Sequence, residues 1–204
     1  ATFGLANQLN TFILMFAQNI GQATIPQITK SFSSGDLERT KTLTASISKF
    51  SFFLMLIPSV PLLFNTEYVL TLWLKELPPH IIIICQLMII NALIDSSVAG
   101  LPAAIQATGK IKYYQIILSS IMLMALPITY VFYKNNFPVQ TIVIVFISIS
   151  IINNILSQYF LKNTLGFQIE DYFKKVYFGI FSVLVLMIPV YFLNNFLDKN
   201  FVSF

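Results

Sequence analysis

The chain has 204 residues, 56% of them hydrophobic and only 10% charged, with 12 Lys and Arg against 8 Asp and Glu for a net charge of +4. Soluble domains carry about 25% charged residues, and twenty Phe and nine Tyr in so sparsely charged a chain exceed what a water-soluble core of this size can bury. One cysteine, Cys85, excludes an intrachain disulfide and a cysteine-based zinc cluster, and basic residues set between greasy runs speak for membrane topology rather than nucleic-acid binding.

A transmembrane helix needs about 20 mainly apolar residues. Six runs qualify, over residues 3–25, 43–64, 81–107, 113–133, 138–161 and 176–197. They predict an all-α, polytopic helix bundle, a single transmembrane domain over residues 1–204 with no soluble domain. The first run carries Asn7, Gln8, Thr11, Gln18, Asn19 and Gln22, which fall within an arc of about 120° on a helix. Phe12, Ile13, Phe16, Ile20 and Ala23 take the other side. Amides and hydroxyls in a stripe suit a cavity wall for an uncharged, hydroxyl-rich ligand such as a sugar chain. They suit helix-to-helix packing equally well.

Between the first and second runs, "PQITKSFSSGDLERTKTLTASISKFSF" holds Lys30, Arg39, Lys41 and Lys49. Gly35 is a turn signal. Asp36 and Glu38 ahead of Arg39 and Lys41 predict a short helix along the membrane surface, leading into the second span. Lys30 and Lys49, with Lys110 and Lys112 further on, are candidates for phosphate or lipid headgroups, or are topology signals alone. The second span, "FFLMLIPSVPLLF", includes Pro58 and Pro61. Such breaks are tolerated where neighbours re-satisfy the freed carbonyls.

The third run, "IIIICQLMIINALIDSSVAGLPAAIQATGK", holds Asp95, the one carboxylate well inside a predicted span. Asn91, Asp95, Pro102 and Gln106 share a face. An acid at this depth is a candidate site for a coupling H+ or Na+, or it is neutral and hydrogen-bonded to Ser or Asn. Gly100 and Pro102 permit a bend. The fourth run holds Pro127 and the sixth Pro189. In the fifth, Ser150, Asn154 and Gln158 recur at i, i+4 and i+8 with Asn153 beside them, to line a cavity or bind a neighbour.

Nine of the twelve Lys and Arg residues fall in alternate connections. These connections then lie on the cytoplasmic side, and both ends of the chain lie outside. The chain starts with Ala and has no charged region before a cleavage site, so it reads as a piece of a longer protein without a signal peptide. No enzyme signature is legible. His80 stands alone, Glu67 and Glu76 form no acid–base pair, and no metal-ligand set, cofactor motif or catalytic residue is expected.

Three stretches carry a family resemblance: "NQLNTFILMFAQNIGQATIPQITKSFSSGDLERTKTL", "SKFSFFLMLIPSVPLLFNTEYVLTLWLKELP" and "QATGKIKYYQ". Together they resemble the C-terminal half of the polysaccharide and O-antigen transporters. These belong to the MATE-like superfamily that also holds multidrug exporters and lipid II flippases. The resemblance covers nearly the whole chain. It implies half of a pseudo-symmetric bundle around a central cavity, in the inner (cytoplasmic) membrane of a bacterium. It implies alternating-access export of undecaprenyl-pyrophosphate-linked oligosaccharide for O-antigen, capsule or other surface polysaccharide. Implied partners are the lipid-linked substrate, the lipid bilayer, H+ or Na+, and polysaccharide polymerase machinery, with no nucleic acid. The alternative is a cation-coupled exporter of drugs or small solutes with the same fold. The expected cavity set is Asn7, Gln8, Thr11, Gln18, Asn19, Gln22, Asn91, Gln106, Asn154 and Gln158, with Asp95 as the ion site.

Overall fold

A computed structural model describes residues 4, 7, 8, 11, 15, 25–74, 76–185 and 189. Gln18, Asn19, Gln22 and Lys75 lie outside the described residues, as does most of the first and sixth predicted spans. Among the described residues all regular structure is helical, as the composition requires.

A helical stretch over residues 25–33 stops at Gly35, whose φ of +79° is the left-handed conformation that closes helices at low cost. The next helix, α1 (Leu37–Phe64), is capped by Asp36, whose carboxylate accepts from the Arg39 backbone N–H at 3.0 Å. Glu38 in its first turn suits the positive end of the helix dipole. The expected surface helix is therefore absent. Asp36 and Glu38 start the span itself, and the basic segment is a tight helix–turn–helix corner.

Beyond α1 come α2 (Thr66–Trp73), α3 (Ile81–Ser96), α4 (Gly100–Ala107), α5 (Ile111–Leu123), α6 (Ala125–Lys134), α7 (Thr141–Leu165) and the single turn α8 (Ile169–Tyr172), which runs into a π-helical turn over Phe173–Tyr177. Helix α3 with α4, and α5 with α6, each form one interrupted span. Counted so, four helices are long and apolar enough to cross a membrane: Leu37–Phe64, Ile81–Ala107, Ile111–Lys134 and Thr141–Leu165. They coincide with the second to fifth predicted runs to within a few residues at each end.

The long helix α7 packs along α3 and also touches α4, α5 and α6, while α1 packs against α3 and α4. Apolar side chains fill the bundle at both ends. One cluster gathers Ile28, Phe52, Leu101, Ile105, Tyr114, Leu161, Tyr172 and Val176. Another holds Leu70, Ile81, Ile84, Cys85, Met88 and Val143. The outer surface stays apolar: Ile57, Leu72, Leu126, Met122 and Phe178 are each at least 61% exposed. Contiguous apolar surface of this kind is a liability in water and ordinary in lipid.

A buried hydroxyl ladder lets α1 approach α4 closely. Thr40, Thr44, Ser48 and Ser59 are fully buried, and each donates to the carbonyl four residues back, at 2.6–3.1 Å. The polar atoms are thus satisfied inside their own helix, and the surface left is small. Gly100 sits against it. A Cβ there would lie 2.3 Å from the Thr44 carbonyl oxygen, so glycine at this point is a steric requirement.

Candidate functional site

The site begins with the interruption between α3 and α4. Pro102, three residues into α4, has no N–H to offer Val98, and the chain turns over Ser97–Ala99. Backbone groups freed inside a membrane span must find other partners. The Val98 carbonyl accepts from Leu101 N–H at 2.9 Å. The Ile94 carbonyl accepts from Ser97 Oγ at 2.7 Å and from Asn154 Nδ2 of α7 at 3.1 Å. The Ser97 carbonyl accepts from the Tyr172 hydroxyl at 2.9 Å. On the restart side, the Gly100 N–H donates to Ser48 Oγ of α1 at 3.0 Å. Three different elements therefore hold the bend.

The π-helical turn supports this clamp from behind. It brings Tyr172 and Tyr177, five residues apart, onto one side with ring centroids 5.8 Å apart. Tyr172 is buried, and burial pushes its phenol above the ordinary tyrosine range; it is a neutral donor. The Tyr177 hydroxyl accepts from Gln158 Nε2 at 2.9 Å.

On the other side of the break, α3 presents Asn91 and Asp95 to a cavity of about 430 Å³. Asn91 Nδ2 donates to Asp95 Oδ2 at 3.3 Å. Ser150 and Asn153 of α7 line the same cavity, and Asn7 of the first predicted span joins them. Met88, Met122, Val143, Phe146 and Ile149 form its apolar walls. Two amide oxygens in it, Asn91 Oδ1 and Asn153 Oδ1, are buried with no hydrogen-bond partner among the described residues. Leaving a buried polar atom unpaired costs about 1–3 kcal/mol. A carboxylate, two open amide oxygens and a hydroxyl make an oxygen-rich lining suited to a hard cation or to sugar hydroxyls.

A second cavity of about 540 Å³ lies on the opposite flank of α7. Its walls are Phe52, Leu63, Ile90, Leu93, Ile151 and other apolar residues. Its polar members are Ser97, Asn154, Gln158 and Tyr177, which the clamp already engages.

The expected site residues thus separate. Asn7, Asn91 and Asp95 meet in one cavity. Gln8 and Thr11 are exposed and do not line it, and the Thr11 hydroxyl donates to the Asn7 carbonyl at 2.8 Å. Gln106 is exposed and stands apart from Asp95, because the turn at Ser97–Ala99 breaks the helical phase that put them on one face. Asn154 and Gln158 belong to the clamp, not the polar cavity. At about 100° per residue, Asn153 and Gln158 stand roughly 140° apart on α7, so i, i+4, i+8 spacing drifts across two faces.

The basic candidates separate as well. Lys49 is half-buried within α1. Its ammonium lies 5.7 Å from the Phe53 ring centroid, and its chain lies so close to Gly179 that a Cβ there would come within 2.9 Å of Lys49 Cε. It is packed rather than open to a phosphate. Lys110 and Lys112 are exposed at the connection after α4. Lys30 lines a cleft at the 34–36 corner with Arg39.

The sequence reading passed over Ser150 and Asn153 as site members, and over Ser48, Tyr172 and Tyr177 as the clamp. Hydroxyls at four-residue spacing in "TLTASISKFS" signalled the α1 face. Nothing local signalled the tyrosines. No family model matches this chain, and no curated protein or solved structure matches it either.

Proposed function

We propose that this chain is part of a membrane transporter that exports lipid-linked oligosaccharide across a bacterial cytoplasmic membrane by alternating access, with Asp95 as the site of a coupling H+ or Na+. One observation carries the reading. Asp95, Asn91, Ser150 and Asn153 line a single cavity beside a broken span, and two of its amide oxygens lack partners. Ionisable residues inside membrane spans mark ion and substrate paths, and interrupted helices beside such sites are a recurring feature of transporters. Amide and hydroxyl lining suits a sugar chain, and the family resemblance of the "PQITK", "LTLWLKE" and "ATGKIK" stretches points the same way.

Deleting the gene in its own host tests the substrate. Lipid-linked oligosaccharide should accumulate on the inner leaflet while surface polysaccharide falls. Restoring the gene as Asp95→Asn should give normal protein levels without export. Export that survives the deletion would sink the reading. The apolar cavity on the other flank of α7 favours one alternative, export of an apolar cationic solute by the same fold. Unchanged polysaccharide with raised sensitivity to cationic drugs would select it.

A further inference from the structure

We infer that the helix–turn–helix corner at residues 27–39 is a binding site for a phosphate-bearing anion at the membrane surface. The inference does not depend on what the protein transports. A cleft of about 250 Å³ opens there, lined by Gln27, Lys30, Ser31, Ser34 and Arg39. At about 30 Å³ per water, it has room for a phosphate group with part of its hydration.

The corner is built rigidly. Ile28 and Thr40 are fully buried beneath it. Ser31 Oγ donates to the Asp36 carbonyl at 3.1 Å, Thr40 Oγ1 donates to Ser31 Oγ at 3.1 Å, and Ser34 Oγ donates to the Ser31 carbonyl at 2.9 Å. Asp36 N–H closes the turn onto the Ser31 carbonyl at 3.1 Å. Lys30 and Arg39 are therefore carried on a fixed frame, from two different helices, to one cleft.

The nearby acids are committed elsewhere. The Asp36 carboxylate caps α1 by accepting from Arg39 N–H. Glu38 pairs with Lys41 at 2.9 Å, the one ion pair among the described residues. Two like charges lining one cleft repel unless an anion sits between them. The chemistry present is an Arg fork, which matches phosphate oxygens two at a time, with a Lys point charge and an amide donor beside it. The cleft lies where the corner meets the apolar span, the level at which phosphate groups of lipids and of soluble anions both reach a membrane protein.

Native mass spectrometry of the purified protein tests this, with phosphatidylglycerol and, separately, inorganic pyrophosphate as probes. One probe should form a saturable one-to-one adduct. Lys30→Gln with Arg39→Gln should weaken it about tenfold, the loss expected for a charge-assisted contact. Arg39→Lys, which keeps the charge and loses the fork, should weaken it less, and it carries the test if the double variant does not assemble. Lys162→Gln, a lysine outside the cleft, should leave it unchanged. A response with phosphatidylglycerol alone assigns the site to a lipid headgroup; a response with pyrophosphate assigns it to a soluble phosphate. Adducts that none of the cleft variants weaken, or that Lys162→Gln weakens equally, would overturn the inference.

Discussion

Asn153 and Asn154 are neighbours on α7, chemically identical and both inside a membrane-spanning helix, yet they serve opposite ends. The Asn154 amide donates to the Ile94 carbonyl and closes a backbone gap. Asn153 lines the polar cavity with Asp95, and its amide oxygen has no partner among the described residues. An amide in a span is thus spent on structure or left open for a ligand. Which of the two applies follows from what faces it across the helix interface. The two flanks of α7 divide accordingly: the clamp of Asn154, Gln158, Tyr172 and Tyr177 fixes the bend of the α3–α4 span, and the cavity of Asn91, Asp95, Ser150 and Asn153 uses the geometry so fixed.

The largest effect that would break this division lies beneath the clamp. Gly100→Val should abolish assembly, and even Gly100→Ala should cost about 1–3 kcal/mol by overpacking, because the Thr44 carbonyl is backbone and cannot move aside alone. Thermal unfolding in detergent measures it. A Gly100→Ala protein that melts like the parent would mean that α1 and α4 do not meet so closely.

A paired substitution comes next. Asn154→Leu should lower stability by about 1–2 kcal/mol, since hydrogen bonds between membrane helices are worth about that at most. Asn153→Leu should leave melting unchanged or raise it slightly, since it removes an unpaired polar atom, and should abolish export. If both variants lose stability alike, the flanks are not functionally distinct.

Tyr172→Phe sharpens the comparison at a smaller scale. It removes only the hydroxyl that reaches the Ser97 carbonyl and should cost about 1 kcal/mol, with export reduced in proportion to folded protein. Export falling well below the folded fraction would show that the clamp moves during transport. The smallest effect is expected at Glu38→Gln. Its partner Lys41 is 2.9 Å away, but Glu38 is 82% exposed, and surface pairs contribute little. Melting should not change, which gives the baseline for the other variants.

Much of this was legible in the residues. Asp95 stood out because it is the one acid deep in a greasy run, and its pairing with Asn91 followed from four-residue spacing within one unbroken helix. Gln106 failed the same logic because Pro102 lies between it and Asp95, and a break resets the phase. Lys49 looked like a loop cation because charge was counted along the chain. The continuous helix from Leu37 instead carries it inward, where its stem packs beside Phe53 and Gly179.

The sequence by itself determined that this chain forms helices able to span a membrane. Run length and apolar content are local properties, and four of the six runs it marked match the four long apolar helices. It also determined where the third span bends, because Pro102 lacks a donor wherever it is placed. Only the tertiary structure decided which polar groups repair that bend and which remain open. The partners are 52 to 75 residues apart in sequence, and no local pattern encodes that Tyr172 will find Ser97 or that Asn153 will find no partner.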